Sequence, residues 1–195
     1  MKRKTIEFGR YLYKNNELRE IEWLVLDERP DGKVLLISKN CISAFQYEFR
    51  ENKNKDPKWE NCVIRLWLNS YFLNYYFTAR EKERMSEISI ETPDGVILND
   101  KVILLSAEEA ERYFEDDMDR KAKPTPMAKR PMDSDFAEKD RIYVEKGYCG
   151  WFLRDPSEKF KGNFTNVRSD GKIDYNGGDF YYSLQGVRPV ILLDL

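Results

Sequence analysis

The stretch from Arg19 to Asn40, REIEWLVLDERPDGKVLLISKN, decides the fold class. Its first apolar run carries Ile21, Trp23, Val25 and Leu26, and its second runs from Val34 to Ile37. Between them stand Arg29, Pro30, Asp31 and Gly32, in which proline presets a turn φ and glycine accepts a left-handed one. Two strand-like runs around such a reversal predict an antiparallel hairpin. Just upstream, TIEFGRYLY (5–13) sets Ile6, Phe8 and Arg10 against Glu7, Gly9 and Tyr11, the period of two that a half-buried strand requires.

Downstream the period changes. After the charged stretch Arg50 to Lys58, the residues Ile64, Trp67, Leu68 and Tyr71 recur at helical spacing, with Asn61 placed as N-cap. Thr78 with Glu81, and Ser106 with Glu109, have the spacing of a capping box. They predict a short helix through Met85 and a third around Ala107 to Phe114. From Glu115 to about Lys139 apolar residues thin out and Pro124, Pro126 and Pro131 forbid a regular helix, so this segment is expected to be a long loop. Its most basic part, Arg120 to Arg130, reads as a solvated loop. Short strands follow at Ile142 to Val144, Trp151 to Arg154, Phe164 to Val167, Lys172 to Tyr175 and Val187 to Leu193. Helices between two groups of strands make an α+β domain in which the terminal strands, those of Phe8 and Val190, are candidates to pair.

Composition narrows the function classes. A length of 195 residues suits one domain, 1–195, with the proline-rich loop near 116–139. Lys plus Arg (33) nearly balance Asp plus Glu (35) and alternate in sign, so the concentrated basic face that nucleic acid needs is not expected. No apolar run reaches membrane-spanning length, and Met1 to Lys4 leads into no apolar leader core, so the expectation is a soluble cytoplasmic chain, extracellular only if a signal peptide was removed. Three cysteines, Cys41, Cys62 and Cys149, form no C-x-x-C, and histidine is absent, which rules out Ser-His-Asp and Cys-His arrangements within the chain and the common zinc sets. The thiols read as free and buried, with Cys149 the best placed of them for chemistry; neither a metal nor a cofactor is expected.

Several short motifs carry a resemblance. IRLWLN (64–69), WFLR (151–154) and GVRP (186–189), together with FGRYLY, IEWLVLD, VLLISK, VILLSAEEAERYF and KPTPMAK, occur in the order seen in an uncharacterised bacterial family, domain of unknown function 6273. The likeness runs over essentially the whole chain. More distantly, the closing part resembles the C-type-lectin-like fold shared by formylglycine-generating enzymes and by phage or bacterial variable binding proteins. This implies a C-type-lectin-like α+β domain of short antiparallel strands, two or three helices and long irregular loops. The chain departs from both functional branches of that fold: it lacks the paired cysteines near the C-terminus and the Glu-Pro-Asn and Trp-Asn-Asp triplets of calcium-dependent lectins.

The expected function is therefore a non-enzymatic binding or interaction module, with an enzyme, a hydrolase using carboxylates or Cys149 in the same cleft, as the alternative, and a purely structural module as a third. The partner would be a small molecule, a glycan or a protein. Its surface would combine the loop from Asp116 to Lys139 with Asp170 to Gln185, where YNGGDFYYSLQG surrounds a glycine turn with tyrosines. Tyr175, Asp179, Phe180, Tyr181 and Arg154 are the candidate ligand contacts, although Arg154, beside Asp155, reads first as a structural bond, with anion or carboxylate recognition as its alternative. Trp23, Arg65, Trp67, Asn69, Trp151 and Arg188 are expected to be structural, the arginines because a buried guanidinium must find acceptors.

Overall fold

The computed structural model describes residues 3–13, 17–48, 58–129, 142–157, 159–179 and 184–195. Strands β1 (Thr5–Leu12), β2 (Leu18–Glu28) and β3 (Lys33–Ser38) form an antiparallel meander. The reversal between β2 and β3 is the one predicted, with Gly32 at φ 84° and the Arg29 N–H bonded to the Lys33 carbonyl. Strand β4 (Ser43–Phe45) then leaves this sheet for another.

The first α-helix starts one residue later than the spacing predicts. Trp59–Asn61 is a 3-10 turn, and the Asn61 side chain accepts from the Lys58 N–H at 2.9 Å. Cys62 therefore occupies the N-cap position of α1 (Val63–Trp67). The helix continues through a π-helical stretch, Leu68–Phe72, into α2 (Leu73–Tyr75). Helix α3 (Ala79–Glu83) begins at the predicted Thr78–Glu81 capping box but ends before Met85, which already belongs to β5 (Met85–Ser86). Strands β6 (Ile88–Glu91) and β7 (Ile97–Asp100) make a separate hairpin, and β8 (Val102–Ile103) leads into α4 (Ala107–Tyr113) at the Ser106–Glu109 box.

The expected long loop is largely built structure where it is described. Asp116 caps α5 (Asp117–Arg120), its Oδ1 accepting from the Asp119 N–H at 2.8 Å. Residues 121–125 then run as an extended strap: Ala122 bridges Cys149, Pro124 bridges Cys41, and the Thr125 hydroxyl donates to the Ile42 carbonyl. Ala122, Thr125 and Ala128 are buried, so the solvated reading is corrected over the described residues 120–129. Proline stops a helix but leaves an extended strap free to hydrogen-bond through its neighbours. Residues 130–139 lie outside the described residues.

The last third supplies β9 (Val144–Glu145), β10 (Tyr148–Cys149), β11 (Trp151–Pro156), β12 (Asn163–Val167), β13 (Ile173–Asp179), β14 (Gln185–Val187) and β15 (Val190–Asp194). One sheet has the order β1-β2-β3-β15-β5, with β8 also on β15; the other has the order β13-β12-β11-β14-β4. The expected strand from Val187 to Leu193 is thus two strands in two sheets, broken at Arg188–Pro189. Phe8 and Val190 do share a sheet but do not pair: Val190 faces Ile37 and Ile103. The fold is mixed α+β, mostly antiparallel, with five short helices among the described residues. None of them is long and apolar enough to cross a membrane.

One apolar cluster runs through both sheets and the helices. Trp23 is fully buried in it and donates its indole N–H to the Phe8 carbonyl at 2.7 Å. Opposite, Gly9 has φ 69° and interrupts the β1–β2 register between Glu7 and Arg10. A Cβ there would sit 2.5 Å from the Phe77 ring and 2.9 Å from the Tyr76 carbonyl. Gly9→Ala should therefore cost about 2 kcal/mol or more, from positive φ and overpacking together. Urea unfolding of the two proteins checks it; equal midpoints would refute this account of the bulge.

Candidate functional site

The arginines reach backbone as well as carboxylate. Arg65, on α1, forks onto Asp100 with its Nε and Nη2 at 2.7 and 2.9 Å and donates Nη1 to the Glu60 carbonyl at 2.7 Å. One turn on, Asn69 accepts from the Lys101 and Val102 N–H groups, both at 3.1 Å, and donates to the Val102 carbonyl at 2.8 Å. Helical spacing of four puts the two side chains on one face, from which both hold the chain around β8. Trp67 is half-buried, 5.5 Å from the Phe45 ring and 5.6 Å from Phe72.

Arg154 and Asp155 together hold the start of α4. The Arg154 Nη2 donates to Glu109 Oε1 at 2.9 Å and its Nη1 to the Leu104 carbonyl at 2.9 Å, with a second short contact to Glu109 Oε2. Glu109 also accepts from the Ser106 N–H, so one carboxylate serves the capping box and the arginine. Asp155 Oδ2 accepts from the Ala107 N–H. Burial pushes the Asp155 carboxyl above its ordinary value, against the pull of Ala107 and Arg154. The guanidinium, read from sequence as a structural bond with ligand recognition as the alternative, is thus committed to Glu109 and Leu104. Glu109 was legible only as a cap, because its second partner lies 45 residues away.

Arg188 is 1% exposed. Its Nε donates to the Ser38 carbonyl at 2.8 Å and its Nη1 to the Arg120 carbonyl at 3.2 Å, while its Cζ lies 5.1 Å from the Phe114 centroid and 5.0 Å from that of Trp151. Burial lowers its pKa to about 10, which leaves it a cation at neutral pH. Trp151, also fully buried, donates its indole N–H to the same Arg120 carbonyl at 3.0 Å.

The two pieces of the expected recognition surface are adjacent where they are described. Arg120 Nε donates to the Gly171 carbonyl at 3.0 Å. Gly171, at φ 91°, lies so close to α5 that a Cβ would fall 1.7 Å from the Asp117 carbonyl oxygen. Tyr175, on β13, is 51% exposed; its hydroxyl bonds Glu111 and its carbonyl accepts from the Ser157 hydroxyl at 2.7 Å. Asn176 to Asp179, the glycine turn of the sequence reading, belong to β13: Asp174 Oδ1 accepts from the Asn176 and Gly177 N–H groups, and Gly177 at φ 66° makes the strand bulge. Asp179 pairs with Asn163 through the backbone. Phe180 and Tyr181 lie outside the described residues.

Residues 31–195 match the model of the family described as Domain of unknown function (DUF6273). The chain belongs to that family. The match is narrower than the resemblance drawn from motifs: it opens inside the β2–β3 turn and leaves out β1 and β2. No curated protein and no solved structure matches the chain. In this DUF6273 chain, residues before the matched span still close the structure, since Arg3 donates to Asp119 and to the Tyr113 carbonyl and β1 pairs with β2.

Two predictions concern these fastenings. Arg154→Ala should cost about 3 kcal/mol, and a double-mutant cycle with Glu109→Ala should return a coupling of about 1–3 kcal/mol. Arg154→Lys should not restore the loss, because an ammonium cannot span both acceptors; additive losses in denaturant titrations would contradict the pairing. Burial alone would raise the Asp119 carboxyl, but Arg3 and the Glu115 N–H hold it below its ordinary value. A depressed carboxylate gives stability that is present above its unfolded pKa of 3.8 and lost as pH falls through the folded value. Asp119→Asn should therefore lower the melting temperature at pH 7 and shrink the gap to wild type towards pH 3; a gap constant across that range would remove Arg3–Asp119 from the acid response.

Proposed function

We propose that this chain is a binding module on a C-type-lectin-like scaffold, recognising a partner with an apolar or sugar face through the surface that joins α5 to β13. The exposed ring of Tyr175 carries this reading. Held at its hydroxyl by Glu111 and at its carbonyl by Ser157, it is a rigid aromatic face that meets solvent, so little conformational entropy is lost when a ligand covers it. Met118 on α5 and Phe160 are also exposed, and the Phe160 N–H donates to the Ser157 hydroxyl.

The free edge of β13 is poorly suited to adding a strand. The Asp174 turn takes up two N–H groups and the Gly177 bulge breaks the ladder, which favours side-chain contact over strand addition. The scaffold reading is supported by the shared sheet of β1 and β15. Against a thiol-based hydrolase stands the burial of Cys41, Cys62 and Cys149, with desolvation holding Cys41 and Cys62 above their ordinary pKa, Cys62 at about 12.

Thermal melting against a panel of glycans, peptides and nucleotides tests the proposal. Ligand at about a hundred times its dissociation constant should raise Tm by several degrees, and Tyr175→Ala should abolish the shift while leaving the unliganded Tm within about 2 °C of wild type. A shift that survives Tyr175→Ala would move the site elsewhere, and turnover of a panel member would replace binding by catalysis.

A further inference from the structure

Two of the three thiols meet. Cys41 lies just after β3 and Cys149 ends β10, 108 positions later, yet their Sγ atoms are 3.5 Å apart, and both residues are fully buried. One element joins them through its backbone: the Cys149 N–H donates to the Ala122 carbonyl at 3.0 Å, and Cys41 exchanges bonds with Lys123 and Thr125 at 2.9 and 3.0 Å. Gly186 leaves room for this contact, since a Cβ there would come within 2.5 Å of the Cys41 sulfur. Cys62 is placed differently, its thiol donating to the Trp59 carbonyl at 3.3 Å.

We propose that Cys41 and Cys149 are a disulfide-forming pair whose oxidation locks the strap of residues 121–125 to the junction of the two sheets. The sulfurs are only about 1.5 Å farther apart than a bonded pair, a gap that side-chain rotation and a small backbone shift close. The oxidant is a low-molecular-weight disulfide such as oxidised glutathione. One protein thiolate attacks it, forming a mixed disulfide and releasing the first small thiol; the second protein sulfur then attacks the first and releases the other. The protein gives up two electrons and two protons, the small disulfide gains both, and one protein S–S bond replaces two S–H bonds. Because neither sulfur meets solvent and burial disfavours the Cys41 thiolate, exchange proceeds through opening of the strap. The reduced fold therefore persists until the strap opens in an oxidising medium. This inference is independent of the recognition surface.

The full chain, native and also refolded from denaturant, is equilibrated in glutathione buffers of graded oxidation, acid-quenched, alkylated and mapped without reduction. The expected product is lighter by two hydrogens, joins the Cys41 and Cys149 peptides and leaves Cys62 alkylated. Closing a loop of this size should raise Tm by roughly 10 °C. Cys62→Ser should leave the link and the shift intact, whereas Cys41→Ser should remove both; should that variant fail to fold, Cys149→Ala carries the same comparison. A link through Cys62, or only free thiols and glutathione adducts in the most oxidising buffer after refolding, would overturn the proposal.

Discussion

The structure turns on one buried cation. Arg188 sits where the chain passes from β14 in one sheet to β15 in the other, and its guanidinium bonds the end of β3 and the end of α5 at once. A charge taken out of water is tolerable only when its donors find acceptors. Here the hydrogen-bond acceptors are backbone carbonyls, and the adjoining rings of Phe114 and Trp151 supply cation–π attraction. The Ser38 carbonyl at a strand end gains a donor in this way, and the Arg120 carbonyl at a helix end gains a second beside the Trp151 indole. The arginine thus satisfies backbone groups from segments that are distant in sequence, and Pro189, with no N–H to continue the ladder, marks the crossing.

The same economy recurs around the core. Arg65 with Asn69 holds the chain at β8, and Arg154 with Asp155 holds the start of α4; in each pair a charged fork and a short polar side chain take up backbone groups at element ends. These ends are short and irregular, with helices of three to seven residues that hydrogen-bond too few groups internally to stand alone. Side chains committed in this way are poor candidates for ligands. That contrast gives Tyr175 its weight: its hydroxyl is fixed while its ring remains open to solvent.

Stretches whose local chemistry is sufficient were legible. The β2–β3 hairpin follows from two apolar runs and a Pro-Asp-Gly turn, and both capping boxes form as spaced, because each closes within four residues. The site was less legible. Arg154 stood beside Asp155 in sequence, yet it pairs with Glu109, while Asp155 takes the Ala107 N–H. The residues 116–129 looked like loop because their bonds go to Cys41, Cys149, Trp151 and Gly171, none of them near in sequence.

The sequence by itself determined the α+β class, the first hairpin, the starts of α3 and α4 and the DUF6273 membership, all of which rest on short-range spacing or on ordered motifs. Only the tertiary structure decided that GVRPVILLDL divides between two sheets, that the strap is buried and that two cysteines touch. The physical reason is the same in each case. A backbone group or a sulfur does not encode its partner locally; the partner is whichever acceptor or donor the packed core leaves unsatisfied at that place.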